Sequence, residues 1–192
     1  MRRLLLASSS PYRRDLLSRL HLPFDCSAPK IDETAHANES AEQLVRRLAE
    51  AKSRALAPSH PDHLIIGSDQ VAVLDREVLG KPHTLERAMA QLKACSGSSV
   101  TFLIGLALLD SRSSKLQVDC VPFTVHFREL DEARIERYLR IEQPFDCAGS
   151  FKAEGLGISL FRSTSGIDAT SLIGLPLIRL VDMLLEEGVQ IP

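Results

Sequence analysis

The chain has no large surplus of either charge. Its 192 residues carry 23 Lys and Arg against 25 Asp and Glu, a formal net charge of -2. A balance that even sets up no global field to hold a polyanion such as DNA, so nucleic acid is not expected as a partner and any phosphate must be gripped locally. Cysteine is sparse: Cys26, Cys95, Cys120 and Cys147 stand far apart, with no C-x-x-C pair and no close histidine. That argues against a zinc site and for small core residues of a reduced, cytoplasmic protein, with two disulfides left open. No apolar run approaches the roughly 20 residues that span a bilayer, and the stretch up to Ala7 is too short for a signal segment, so a soluble protein away from membranes is expected. Internal repeats and low-complexity linkers are also missing. Gly80-Lys81 lacks the upstream spacing of a P-loop and no G-x-G-x-x-G follows a strand, which counts against a kinase or a dinucleotide oxidoreductase.

What is present suits one compact unit. Hydrophobic residues make up 44% of the chain, enough to bury a substantial core in a single domain over residues 1–192, or in one fold with two lobes. Leu4–Leu6 reads as a strand, and Ser10 with Pro11 supplies the N-cap and first position of a helix burying Leu16, Leu17 and Leu20. Ser40 and Gln43 form a capping box before a helix whose apolar stripe runs Leu44, Val45, Leu48, Ala51, Ala55 and Leu56. Leu64–Leu74 is a strand that can return through Val78–Leu79, and Thr84 caps a helix reaching Cys95. Ser99–Leu109 and Leu116–Phe127 read as a long antiparallel pair, and Asp131 caps a helix carrying Ile135, Tyr138 and Leu139. Ile158–Phe161 reads as a strand, and Pro176 opens a last helix that Gly188 stops. Strands alternating with helices but interrupted by hairpins predict an α/β fold with a mixed sheet.

Three places break the local rules. Arg13 and Arg14 stand in the first turn of a helix, where the macrodipole favours anions. Ser8, Ser9 and Ser10 precede them, so hydroxyls, free N–H groups and guanidinium forks can converge on a phosphate; the alternative is two solvated arginines beside a serine-rich turn. Lys52 falls inside the apolar stripe of its helix, so its ammonium either snorkels out or meets an anion. Asp69, followed by Gln70, interrupts an apolar strand after Gly67 and Ser68, which permit close approach of a ligand or another backbone. It is read as presented to a cleft, against a structural aspartate paired with an arginine. Asp32 with Glu33, Lys81, and Lys152 with Glu154 are charged loop residues that count only if the fold gathers them.

The order of these segments resembles the Maf family of nucleotide pyrophosphatases. The opening L-L-L-A-S-S-S-P-Y-R-R, D-E-T at Asp32–Thr34, A-K at Ala51–Lys52 and G-S-D-Q at Gly67–Gln70 are followed by G-K-P at Gly80–Pro82, C-A-G-S-F-K-A-E-G at Cys147–Gly155 and G-L-P at Gly174–Pro176. Within the family the chain most resembles the YceF-like branch, which acts on 7-methyl-GTP. The resemblance implies an elongated α/β fold, its mixed sheet flanked by helices, with two lobes around a central cleft, related to the inosine triphosphate pyrophosphatases. The family is often dimeric, which leaves a homodimer open.

The resemblance also implies dependence on a divalent cation, Mg²⁺ or Mn²⁺, with Asp69 as catalytic base. It assigns Ser8, Arg13, Glu33, Lys52 and Lys81 to the phosphate and metal region, Glu33 and Asp69 being the expected metal ligands. Attack by water on a nucleoside triphosphate needs its charge neutralised and the nucleophile positioned, work suited to Arg13, Arg14, Lys52 and Lys81 on one hand and Asp69 on the other. For the base, the resemblance points to Tyr12, Gln70 and Glu154. N7 methylation makes guanine cationic, so Tyr12 offers a cation-π face and Glu154 an acceptor for the guanine N1–H and amino group. The branch carries tryptophan where this chain has Tyr12, a larger ring for the same contact. The alternatives are a family member acting on dTTP and UTP, or a nucleotide-sensing protein that affects cell division.

Overall fold

The computed structural model describes residues 2–192. Among the described residues seven strands form one sheet, in the order β2 (Phe24–Cys26), β1 (Arg3–Leu6), β3 (His63–Leu74), β5 (Ser99–Asp110), β6 (Leu116–Phe127) and β7 (Phe161–Gly166), with β4 (Glu77–Leu79) paired to β3. The chain divides into two compact units. The first comprises Met1–Gln70, Leu103–Val121 and Asp168–Pro192, and the second Val71–Phe102 and Pro122–Ile167.

In the first unit, β1 (Arg3–Leu6) lies parallel to β2 (Phe24–Cys26) and to β3 (His63–Leu74), with Leu4 opposite both Phe24 and Leu64. Leu4, Leu5 and Leu6 are all buried because a parallel strand covered on both faces has no solvent side. Alternation divides them. Leu4, Leu6, Leu64 and Ile66 pack with Leu16 and Leu17 of α1 (Pro11–Ser18) and with Leu180, Met183 and Leu184 of α6 (Leu177–Glu186). Leu5, Ala7 and Ile65 face the other way, toward Leu56 of α2 (Ala41–Leu56). The caps stand where the residue types place them. Ser10 Oγ accepts from Arg13 N, and Ser40 and Gln43 exchange side-chain and backbone bonds in a full capping box.

The buried face of α2 is Leu44, Val45, Leu48, Ala49, Lys52, Ser53 and Leu56, whereas Ala55 is exposed and Ala51 half-buried. The expected stripe is thus rotated, and two sheet glycines explain why. A Cβ at Gly67 would stand 2.0 Å from Ala49 O, and one at Gly105 2.0 Å from Val45 O. The helix backbone seats directly on the bare strands there, a stronger constraint than two alanine methyls.

The second unit contains β4 (Glu77–Leu79), antiparallel to β3, then α3 (Leu85–Cys95), α4 (Glu132–Glu142) and β7 (Phe161–Gly166). The strands β5 (Ser99–Asp110) and β6 (Leu116–Phe127) run from one unit into the other. Phe102, Phe127, Phe151 and Phe161 meet edge to face, with centroids 4.9 to 5.6 Å apart, and form this unit's aromatic core.

The expected strand at Ile158–Phe161 is a correction. Leu156–Leu160 is a 3-10 turn, curled because Leu156 N donates to Glu142 Oε2 (2.7 Å) and Gly157 N to Lys152 O (3.0 Å). The strand begins only at Phe161 and is polar because it is an edge, antiparallel to β6 and exposed beyond its first residue. Neither the three-residue β2 nor the four-residue α5 (Thr170–Ile173) has a sequence pattern long enough to read. All four cysteines are free. Among the described residues no helix is long and apolar enough to cross a membrane.

Candidate active site

Period-two alternation along β3 sorts the polar residues of this strand. Ile65, Gly67 and Asp69 face α2, while Ile66, Ser68 and Gln70 face the segment that follows β7. On the α2 side, Lys52 Nζ donates to Asp69 Oδ1 at 2.6 Å and forms an ion pair with Glu33 Oε1 at 2.9 Å. Lys52 is 7% exposed and Asp69 8%, whereas the Glu33 side chain is 58% exposed. The ammonium therefore does not snorkel; it meets anions, and the partner of Asp69 is a lysine rather than an arginine. A carboxylate buried this deeply stays only with a partner of opposite charge, which Gly67 makes possible by letting α2 approach.

On the other side, Gly174 O accepts from Ser68 Oγ (3.0 Å) and from Arg13 Nε (2.9 Å), and Leu172 O accepts from Gln70 Nε2 (3.1 Å). Gly174 has φ +120, and a Cβ on it would stand 3.1 Å from Gln70 Oε1 and 3.3 Å from Arg13 Nε, so glycine keeps room for both side chains. The Arg13 guanidinium is half-buried. Burial lowers its pKa, against the opposing pull of Asp69 and Glu33. With Nε held by a carbonyl, the two terminal nitrogens remain as a fork for an anion. Ser8 Oγ accepts from Ser10 N (3.1 Å), so the serine turn is closed on itself ahead of α1.

The fold thus gathers Ser8, Ser10, Arg13, Glu33, Lys52, Asp69 and Gln70 in the first unit. Tyr12 is 42% exposed on α1, and Arg14 is exposed with its charge felt at the Cys26 thiol, where burial is the larger influence. Lys81 and Glu154 are exposed residues of the second unit. Both act on Cys147, whose thiol is pushed up first by burial, then by Glu154, and pulled back by Lys81. Lys152 is committed to structure, its Nζ donating to Glu142 O at 3.1 Å and its N to Tyr138 Oη at 3.0 Å. Among the described residues no three His, Cys, Asp or Glu gather as a metal-holding group.

Residues 3–187 match the family model described as Maf-like protein. The chain belongs to the Maf family. It is 74% identical over 189 residues to the 7-methyl-GTP pyrophosphatase of Pseudomonas fluorescens and 71% identical over 189 residues to that of Pseudomonas aeruginosa, covering 98% of this chain and of each relative. Among solved structures, the Ham1 protein of Staphylococcus aureus aligns with a TM-score of 0.50 at 11% identity, over 97% of this chain and 100% of that one. At that identity the likeness is one of fold.

Within the Maf chain, sequence reasoning missed the parts made of backbone. The carbonyls of Leu172 and Gly174 anchor Gln70 and Arg13, and Asp168 shapes that segment by accepting from Thr170 N (2.8 Å) and Ile178 N (2.8 Å). The only signal was G-L-P, in which the glycine stands out but its carbonyl does not.

Proposed function

We propose that the chain is a nucleotide pyrophosphatase that hydrolyses 7-methyl-GTP to its monophosphate and pyrophosphate. The observation that carries this is the buried Lys52–Asp69 pair with Glu33 on the same ammonium and the Arg13 fork within electrostatic reach. The names of relatives more than 70% identical over nearly the whole chain support the substrate. In this reaction water attacks the α-phosphorus, the bond to the bridging oxygen breaks, and pyrophosphate leaves with that oxygen. Arg13, the serine turn and the α1 N-terminus bind phosphate oxygens. Lys52 holds Asp69 by Oδ1, leaving the second carboxylate oxygen to orient the water and take its proton.

Glu33 and Asp69 are hard oxygen donors brought to one ammonium, and two carboxylates completed by phosphate oxygens and water suit Mg²⁺ or Mn²⁺. When bound there, such a cation neutralises charge on the phosphate oxygens. On the base side, the Leu172 carbonyl occupies Gln70 Nε2, so Oε1 is left as an acceptor suited to a guanine N–H. Tyr12 offers an exposed ring to a cationic base. Lys81 and Glu154 have the signs that phosphates and N7-methylguanine respectively attract, and no step above depends on them. The place of action is the cytoplasm, where the exposed Cys26 stays a thiol.

The test is pyrophosphate release from 7-methyl-GTP, GTP, UTP and dTTP, with and without Mg²⁺, by the wild type and Asp69→Asn. We expect 7-methyl-GTP to be preferred, metal to be required, and the near-isosteric variant to lose turnover while keeping its fold. Undiminished turnover by Asp69→Asn removes Asp69 as the base, and a preference for UTP or dTTP overturns the substrate.

A further inference from the structure

We propose that Arg47 of α2 is a positioning residue for this site, latching the segment that carries Glu33 so that its carboxylate reaches Lys52. Residues 27–40 form no helix or strand, and the Glu33 side chain is 58% exposed. Packing therefore does not hold Glu33 in place, and the polar contacts around it must. Asp32 Oδ1 accepts from Thr34 N at 2.9 Å, closing a turn around Glu33. Arg47 Nη2 donates to Thr34 O at 3.0 Å, pinning the residue directly after Glu33.

The same guanidinium grips Glu39, Nε to Oε1 at 2.6 Å and Nη2 to Oε2 at 2.8 Å, and Glu39 Oε2 in turn accepts from His36 N at 3.0 Å. The Glu39 side chain is only 8% exposed, so this fork is sheltered and geometrically strict. The hydrogen bond from Arg47, followed by that from His36 N, holds the Glu39 carboxyl down at about 2. One helix thus supplies two hooks, Arg47 on the backbone and Lys52 on the carboxylate. Without the first, Lys52 alone would have to order a flexible, solvated glutamate against its conformational entropy.

This inference rests on the proposed function for its catalytic meaning, and a double-mutant cycle separates the two. The variants are Arg47→Ala, Glu33→Gln, the two combined, and Arg47→Lys, which keeps the charge but loses the fork. Two quantities are measured on each: Mn²⁺ binding without nucleotide, by loss of the free-ion EPR signal, and the Mg²⁺ dependence of 7-methyl-GTP hydrolysis. If Arg47 acts through Glu33, Arg47→Ala weakens Mn²⁺ binding and raises the half-saturating Mg²⁺ about 10-fold or more, with kcat recovering at high Mg²⁺. Arg47→Lys recovers little, and adding Arg47→Ala to Glu33→Gln costs nothing further. Additive losses, or Arg47→Lys behaving as wild type, overturn the proposal. A non-additive cycle in Mn²⁺ binding with no hydrolysis by the wild type sustains Arg47 and overturns the proposed function instead.

Discussion

Gly67→Ala is the substitution that most directly tests how the fold builds the site. The added methyl would stand 2.0 Å from Ala49 O, 3.0 Å from Ala49 C and 3.1 Å from Ser53 N, all backbone atoms of α2 that cannot swing aside. Relief requires the helix to withdraw by about 1 Å, because carbon and oxygen at rest stay beyond roughly 3 Å. Lys52 rides on that helix, and its 2.6 Å bond to Asp69 would stretch past the hydrogen-bond limit. Overpacking alone costs about 1–3 kcal/mol, and weakening a buried ion pair adds to it, so a loss of about 2–4 kcal/mol is expected. A misplacement of about 1 Å among reacting groups costs about 100-fold in rate. Urea unfolding and 7-methyl-GTP hydrolysis measure the two effects. Gly80→Ala serves as the control for stability, since a Cβ there meets nothing within 4 Å, and it should stay within about 0.5 kcal/mol of wild type. A Gly67→Ala protein as stable and as active as wild type would refute both the close seating of α2 and the dependence of the site on it.

Two further outcomes follow from the charges. Lys52→Met leaves the 8%-exposed Asp69 without its nearest cation, which should cost about 3–5 kcal/mol in urea unfolding. Adding Asp69→Asn should return much of that loss, and strictly additive costs would mean the two residues are not coupled. Asp110, 5% exposed, is raised by burial but more strongly lowered by hydrogen bonds from Ser113, Arg2 and Arg112 N, so its carboxyl falls from 3.8 to about 2. A depressed acid stabilises the folded state above pH 4 and loses that contribution as pH falls through 2. Asp110→Asn should therefore lower Tm at pH 7, by the equivalent of about 2 kcal/mol, and the two melting curves should converge near pH 2. A gap that stays constant over that range would show that Asp110 acts by packing alone.

Much of the fold was legible because its signals are local. Ser10, Ser40, Thr84 and Asp131 each cap the helix they precede, since a short polar side chain satisfies N–H groups within three residues of itself. Leu4–Leu6 and the long β3, β5 and β6 runs read as strands because their apolar content exceeds what a loop tolerates. Polar, short or edge elements such as β2, α5 and β7 escaped, because tertiary neighbours rather than composition stabilise them.

For the site, the residues themselves announced an anomaly: Arg13 at a helix start, Lys52 in an apolar stripe and Asp69 inside a strand each contradict their surroundings. Residue type and local spacing are enough to require partners for these three charges. Which partners they find depends on the folded chain. Lys52 and Asp69 are 17 residues apart, and Arg13 finds the Gly174 carbonyl 161 residues away. A backbone carbonyl has no residue type to read, and the seating of α2 on Gly67 depends on contact between elements, which no local spacing encodes.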